Sequence, residues 1–584
     1  MYFLGGAALA AIRPPNVLFL MCDSMDGRVL DPTSDIWPRL EMPNLRALAK
    51  AGTNFVRNYA AAPQCVPSRT TMLTGRHTHH ISAWSNSKSI AASALRVDPD
   101  CSKYYDRQAC ATFAAQQQTE VQSTFFESVA DAAGTGNCDV CVYGKVDVGA
   151  GVIEMQNSHT EPAAMNDATV DGWHGGPILT ISGRGADIRR PTKPLPASIT
   201  NDMDNNVHPE DHKMVAKCVE WLETRAKMQA ENEAIGAADK SWMLYCSVNI
   251  PHPAFNTNAT WLAMVNDDKF TVPTWHDKAT FHPADAFMSI SKNVWGDDYT
   301  NATILKTMRT YYAMCSETDY LMGIVIDAAK RLSLLDNTYV VFVSDHGEMN
   351  MEHRQVWKNS MYEASERVPF IVAAPYAPHL NVPANVVVKN VTSLLDVFPT
   401  LVEMVGGPNA KRPSNLDGYS LMPYLGGTGK PRPDFVVAQY HSNMGNTGSF
   451  MIVQGIWKLI TFGTNGGNFN GSCGAPCTYP HQLFDVVNDP EELNDVATQT
   501  PGVVERLDTL LKSVVDYENV DAAAKAEDYM VYKRFFVKKL KDTEALKKAW
   551  GKGYKGFNDT DWAKVQRWAE DGEALLARFP ELQQ

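Results

Sequence analysis

Four short apolar runs along the chain end abruptly in polar residues: Asn16–Cys22 (NVLFLMC), 242–248 (WMLYCSV), 339–344 (YVVFVS) and 370–374 (FIVAA). Continuous apolar runs of this length suit parallel strands covered on both faces. Between them lie segments with a three- and four-residue apolar repeat. The clearest spans about 302–335, where Ile304, Leu305, Met308, Tyr311, Tyr312, Cys315, Met322, Val325 and Ile326 predict one helix. Asp336-Asn337 then breaks the pattern before the next strand. Alternating strands and helices predict an α/β fold, a large and mostly parallel sheet flanked by helices.

After about Pro413 the pattern changes. Phe435–Tyr440, 450–454 and Trp457–Phe462 read as short strands, the last two joined by Gly455-Ile456. They predict a smaller C-terminal domain, 413–584, with an antiparallel sheet and a helical tail. The larger domain, 14–412, is expected to carry the chemistry. Residues 1–13 hold an apolar run with Ala8-Leu9-Ala10 but no basic start; a signal-peptide remnant and a trimmed start both fit.

Composition narrows the function classes. With 44% hydrophobic and 20% charged residues, the 584-residue chain can bury an ample core. A net charge of −13 argues against a nucleic-acid or membrane-surface binder. No apolar run reaches the roughly 20 residues of a membrane span. Five Asn-x-Ser/Thr sequons, at Asn258, Asn301, Asn390, Asn470 and Asn558, support secretion weakly. Among eleven cysteines, Cys101 with Cys110 and Cys473 with Cys477 are spaced to close small disulfides. Cys22, Cys246 and Cys315 lie in apolar segments and read as buried thiols. Cys138-x-x-Cys141 lacks a second pair or a histidine cluster and reads as structural.

The candidate chemistry centres on Cys65 to Gly75, CVPSRTTMLTG, which looks like the start of a helix whose amides favour negative charge. Sites in open parallel sheets form beyond the carboxyl ends of strands. Asp23 directly follows the first strand, and Asp345-His346 follow the strand ending at Ser344. Asp23, Asp345 and His346 thus offer oxygen and nitrogen ligands at one sheet edge. Such a donor set, with residue 65, suits a divalent cation, Ca²⁺ before Mg²⁺ and either before Zn²⁺.

CVPSR, Asp23 with its strand, YGK ending at Lys145, NIPHP around His252, SDHGE and Lys358 ahead of SMYEAS resemble the sulfatase family, in family order. LFDVVNDPEELNDVA resembles that family's C-terminal signature. CDSMDGR, FHPADAF, YYAMCSETD and DHGEMNMEHRQVWKNSMYEASERVP resemble one branch more narrowly, the arylsulfatase K group of lysosomal glucuronate-2-sulfatases.

The resemblance implies an alkaline-phosphatase-like fold and a sulfuric ester hydrolase. It implies oxidation of Cys65 to Cα-formylglycine by a formylglycine-generating enzyme. One hydroxyl of the hydrated aldehyde takes the sulfate; the other then loses its proton and expels it, an exit a serine would lack. Arg69 is implied to hold the diol oxygens. Lys145, His252 and Lys358 are implied to hold the sulfate, with His252 and Lys358 as proton donors to the leaving oxygen. The implied substrate is a sulfated carbohydrate, a uronate 2-O-sulfate in a glycosaminoglycan fragment, or an aryl sulfate. The implied location is the secretory pathway, lysosomal or extracellular.

Two departures stand out. Asp23-Ser24 replaces the family's Asp-Asp, with Asp26 a further ligand candidate. Lys145-Val146-Asp147 replaces Lys-x-His, so Asp147 or another residue would be the base that releases sulfate. Residues 533–555 carry nine Lys/Arg against two acids, a bias that fits a sulfated polysaccharide or a solvated helix face. Two alternatives stay open: a phosphonate or phosphate ester hydrolase of the same superfamily, and a non-catalytic sulfated-glycan binder with Cys65 a thiol.

Overall fold

The computed structural model describes residues 13–86, 124–134, 137–147, 198–200, 207–292, 294–295, 299–429, 431–441, 447–463, 479–533, 542–553 and 558–580. Its centre is a seven-stranded sheet. The strands, in chain order, are β1 Asn16–Cys22, β2 Gly52–Phe55, β3 Cys138–Gly144, β4 Ser241–Ser247, β5 Thr338–Ser344, β6 Phe370–Ala373 and β7 Val386–Val388. Their spatial order is β7-β2-β6-β5-β1-β4-β3. β1 lies between β4 and β5, parallel to both, while β6 runs antiparallel to β5 and β2. The sheet is mixed and mostly parallel.

Alternate residues of β1 serve two cores, as the period of a strand requires. Val17, Phe19 and Met21 pack with α2 (Cys65–Thr74), α3 (Phe125–Ala132) and α6 (Val397–Gly406). Leu18, Leu20 and Cys22 face α1 (Pro43–Lys50), α4 (Pro209–Ala234) and α5 (Asn301–Arg331). Both faces are dry, which is why β1 reads as an unbroken apolar run.

β8 Phe435–Tyr440, β9 Ser449–Gln454, β10 Trp457–Phe462 and β11 Gln482–Asp485 form a separate antiparallel sheet in that order. One face packs α7 (Pro501–Val514) through Leu507 and Leu511. The other lies on Met349, Met361, Tyr362 and Ala364 of the larger sheet's loops. Lys458 of β10 is buried there between Glu363 (2.7 Å) and Glu492 (2.9 Å).

Cysteine chemistry departs from the sequence reading at one position. Cys246 is no thiol: it is disulfide-bonded to Cys218, tying β4 to α4 with a Cα–Cα distance of 6.3 Å. Burial does not exclude pairing, and a strand-to-helix contact leaves no spacing signature. Cys22, Cys315, Cys138 and Cys141 are buried outside disulfides. Cys138 and Cys141 point into opposite cores of β3, so they do not act as a pair. The pairs 101/110 and 473/477 lie outside the described residues, as do residues 1–12 and Asn470.

Asn301, Asn390 and Asn558 are exposed, whereas Asn258 is buried and caps a short helix through the N–H of Trp261. In the basic tail, Lys533 pairs with Glu573 and Lys547 with Asp559; residues 534–541 and 554–555 lie outside the described set. No described helix is long and apolar enough to cross a membrane.

Candidate active site

Cys22 and Ser344 are partners in the β1–β5 register, so the next residues, Asp23 and Asp345, leave the sheet side by side. Both are fully buried. α2 begins at Cys65 itself, and Pro67 falls in its first turn, where a missing N–H costs no helical bond. Cys65, Ser68 and Arg69, three and four positions apart, share one face. Ser68 donates to the carbonyl of Asp345, which docks that face on the strand ends. Gly75, at φ 64°, closes the helix.

Four donors converge at this edge. One ligand atom from each of Asp23, Cys65, Asp345 and His346 lies within 4.8 Å of the others. His346 Nδ1 faces the carbonyl of Gly347 at 3.0 Å, which leaves Nε2 turned inward, 3.4 Å from Cys65 Sγ and 3.6 Å from both Asp23 and Asp345. Here Sγ stands where an oxygen of an oxidised, hydrated residue 65 would lie. Burial, with Asp23 alongside, pushes Asp345 up to about 7 against the pull of Arg69. The donor set of two carboxylates and an imidazole fits a divalent ion.

Arg69 is fully buried and locks this pair of acids. Nε donates to Asp345 at 2.7 Å and Nη2 to Asp23 at 3.3 Å. Nη1 reaches the Lys145 carbonyl, Tyr245 Oη (3.3 Å) and Ser247 Oγ (3.2 Å). Its recorded partners are thus the acids and strand ends rather than the side chain of residue 65.

Lys145 follows β3 through Gly144, at φ 86°, where a Cβ would sit 1.8 Å from the Ser247 carbonyl. Only glycine permits that approach. Lys145 Nζ contacts Asp23 (2.7 Å), Asn249 Oδ1 (3.1 Å), Asp147 (3.4 Å) and Cys65 Sγ (4.0 Å). Burial alone would raise Asp23, but Lys145, then His252 and Lys358, hold its carboxyl well below the usual range. Burial works against the Lys358 ammonium, yet Cys65 and Asp23 raise its pKa. Burial, then Lys358 and Lys145, keep His252 well below the usual histidine value, so its ring is neutral. Its Nδ1 faces the Pro253 carbonyl.

Ser24 and Asp26 take other parts than ligation. Ser24 Oγ donates to Asp23 (2.8 Å) and its N–H to Asp345 (3.1 Å), from a left-handed backbone at φ 72°. It orients both acids. Asp26 lies outside the cluster, contrary to its reading as a ligand, because Arg28 captures its carboxylate at 2.8 Å and is itself shared with Glu352. Asn249 escaped the sequence reading although it opens the NIPHP string. A neutral amide two residues ahead of a proline gives no charge or ligand signal.

The family comparison is direct. A sequence model of the sulfatase family matches residues 15–130 and 157–407. Arylsulfatase K of Homo sapiens is 30% identical over 534 residues, covering 88% of this chain and 84% of that protein. Arylsulfatase K of Bos taurus is 30% identical over 539 residues, covering 89% and 85%. Two solved structures share the fold. The phosphonate monoester hydrolase of Agrobacterium radiobacter matches with a TM-score of 0.59 at 21% identity, over 85% of this chain and 95% of that one. A 2-O GAG sulfatase matches with a TM-score of 0.56 at 16% identity, over 91% and 96%. The chain belongs to the sulfatase family and is a sulfuric ester hydrolase.

Proposed function

We propose that the chain removes sulfate from sugar sulfate monoesters, with a uronate 2-O-sulfate in glycosaminoglycan fragments as the preferred class. The observation that carries this is the cluster of Asp23, Cys65, Asp345 and His346 within 4.8 Å, flanked by Lys145 and reached by the charge of Lys358. Support for the substrate class comes from the arylsulfatase K relatives and the long strings around residues 345–369.

Residue 65 is the nucleophile in this reading, as a formylglycine hydrate. Burial, then Asp23, pushes the Cys65 thiol up, so an unmodified Cys65 stays protonated and is a poor nucleophile. Asp23, Asp345, His346 and residue 65 would hold a divalent cation, Ca²⁺ before Mg²⁺, which would supply charge neutralisation and acidify the attacking hydroxyl. Arg69 keeps Asp23 and Asp345 paired despite their mutual repulsion. Lys145 and Lys358 hold the non-bridging sulfate oxygens. Lys358, charged in the free site, protonates the leaving oxygen; His252 does so once the negative charge of the bound sulfate ester raises its pKa. In this reading Asp147, which pairs with Lys145 at 3.4 Å, is the base that takes the proton and releases sulfate.

A formylglycine-generating enzyme would act during maturation, and the secretory pathway, lysosomal or extracellular, is the matching location. The test is the mass of the tryptic peptide holding residue 65, with turnover of a uronate 2-sulfate against a phosphodiester. A loss of about 18 Da from the cysteine form and preferred sulfate release are expected. An unmodified thiol in active protein overturns the nucleophile, and preferred phosphodiester cleavage overturns the substrate class.

A further inference from the structure

The loop after β4 carries Asn249 and His252, and a carboxylate from another element holds its backbone. Asp211, 6% exposed, lies in the first turn of α4, accepts the N–H of Asn249 and also hydrogen-bonds the backbone of Ile250. An acid in that position commonly serves the amides of its own helix. This one is turned to a neighbouring loop.

The start of α4 is itself gripped by α5. Glu317, buried, accepts from His208 Nδ1 at 2.8 Å and from His212 Nε2 at 3.0 Å, on either side of Asp211. On the far side, Asn249 Oδ1 takes Lys145 Nζ at 3.1 Å and its carbonyl takes the His252 N–H at 3.0 Å. A continuous set of bonds therefore runs from α5 through α4 to two residues of the sulfate site.

We infer that Asp211 is a positioning residue, setting through the Asn249 loop the directions in which Lys145 and His252 meet the sulfate. This rests on the sulfate-ester reading above. Removing the carboxylate leaves two backbone amides without their acceptor and lets the loop move, and a displacement of about 1 Å can cost a hundredfold in rate. Asn249 acts on Lys145 by contact, so its loss weakens sulfate holding alone. Asp211 governs His252 as well, so its loss also weakens proton donation, which matters most for a poor leaving group.

The test compares wild type, Asp211→Ala, Asp211→Asn and Asn249→Ala on 4-nitrophenyl sulfate and on an unactivated sugar sulfate. Asn249→Ala should raise KM about tenfold on both esters, with kcat within about threefold. Asp211→Ala should lose about tenfold on the aryl ester and about a hundredfold on the sugar ester. Asp211→Asn keeps an acceptor oxygen and should stay within about threefold of wild type. Equal losses on both esters for Asp211→Ala, or none, overturn the inference. Should wild type cleave neither ester, the sulfatase reading itself fails. Calorimetric binding of inorganic sulfate then decides: weakening of about fivefold or more in Asp211→Ala and Asn249→Ala upholds the positioning role. Unchanged or undetectable binding overturns it.

Discussion

Arg69 Nε donates to Asp345 Oδ2 at 2.7 Å, with both side chains wholly shielded from solvent. The same guanidinium spans to Asp23, so one planar cation fixes the separation of two acids that would otherwise repel. Lysine cannot reproduce this two-pronged geometry. Arg69→Lys should therefore lower kcat/KM by about a hundredfold or more and weaken divalent-ion binding with it. Ion content after gel filtration, read beside activity, checks the coupling; lost activity with full ion content would place Arg69 elsewhere in the mechanism.

Cys65→Ala removes the nucleophile but only a small buried side chain. Turnover should vanish while the far-UV spectrum persists and the Tm shifts by only a few degrees, as for a loss of about 1 kcal/mol. Activity near wild type would refute a covalent route through residue 65.

Chelation tests the carboxylate pair. Adding EDTA should lower the Tm and Ca²⁺ restore it, since an ion at a hundred times its Kd stabilises by about 2.7 kcal/mol. In Asp345→Asn, both the rise in Tm on adding Ca²⁺ and the activity should shrink together. A variant that keeps the full rise would move the ion away from Asp345.

His77 offers a pH prediction away from the chemistry. Burial, opposed by Asp417 and aided by His80 and Arg432, lowers it from 6.5 to about 4. A depressed histidine is neutral when folded and takes up a proton on unfolding. Its contribution is complete above the unfolded value of 6.5 and is lost as pH falls through about 4. His77→Gln should be destabilised near pH 7.5, with the gap from wild type closing near pH 4.5. A gap that widens in acid contradicts the sign.

Lys458 joins the two sheets. Between Glu363 and Glu492 it is the cation that keeps these buried acids paired, and Glu366 lies close enough for its own acidity to feel it. Lys458→Met should destabilise by about 3–5 kcal/mol, because breaking one side of a buried ionic group strands the other. Urea unfolding measures this, and a change below about 1 kcal/mol would show the triad to be dispensable.

The sequence announces some of this arrangement and hides the rest for physical reasons. β1 and β5 are legible because both faces are buried, and their ends locate Asp23 and Asp345. β3, CDVCVYG, escapes because its cysteines, aspartate and glycine dilute the apolar run. β2, GTNF, is polar and short, and its place is set by its neighbours β6 and β7. The helix face of Cys65, Ser68 and Arg69 follows from spacing alone. That Arg69 meets Asp345 does not, since 276 positions separate them and only the strand register brings them together. Asp211 and Asn249 are hidden for the same reason, and Cys218 finds Cys246 only through the packing of a helix on a strand.

The total burial of Cys65 is also a matter of timing. α2 leaves the ribosome some 270 residues before β5, and until β5 inserts beside β1 the edge that closes over Cys65 does not exist. Any enzyme that alters this side chain must reach it in that interval, or in a chain opened again. The finished fold is thus a lock closed behind a completed modification, and a mutation that hastens closure could lower activity while raising stability.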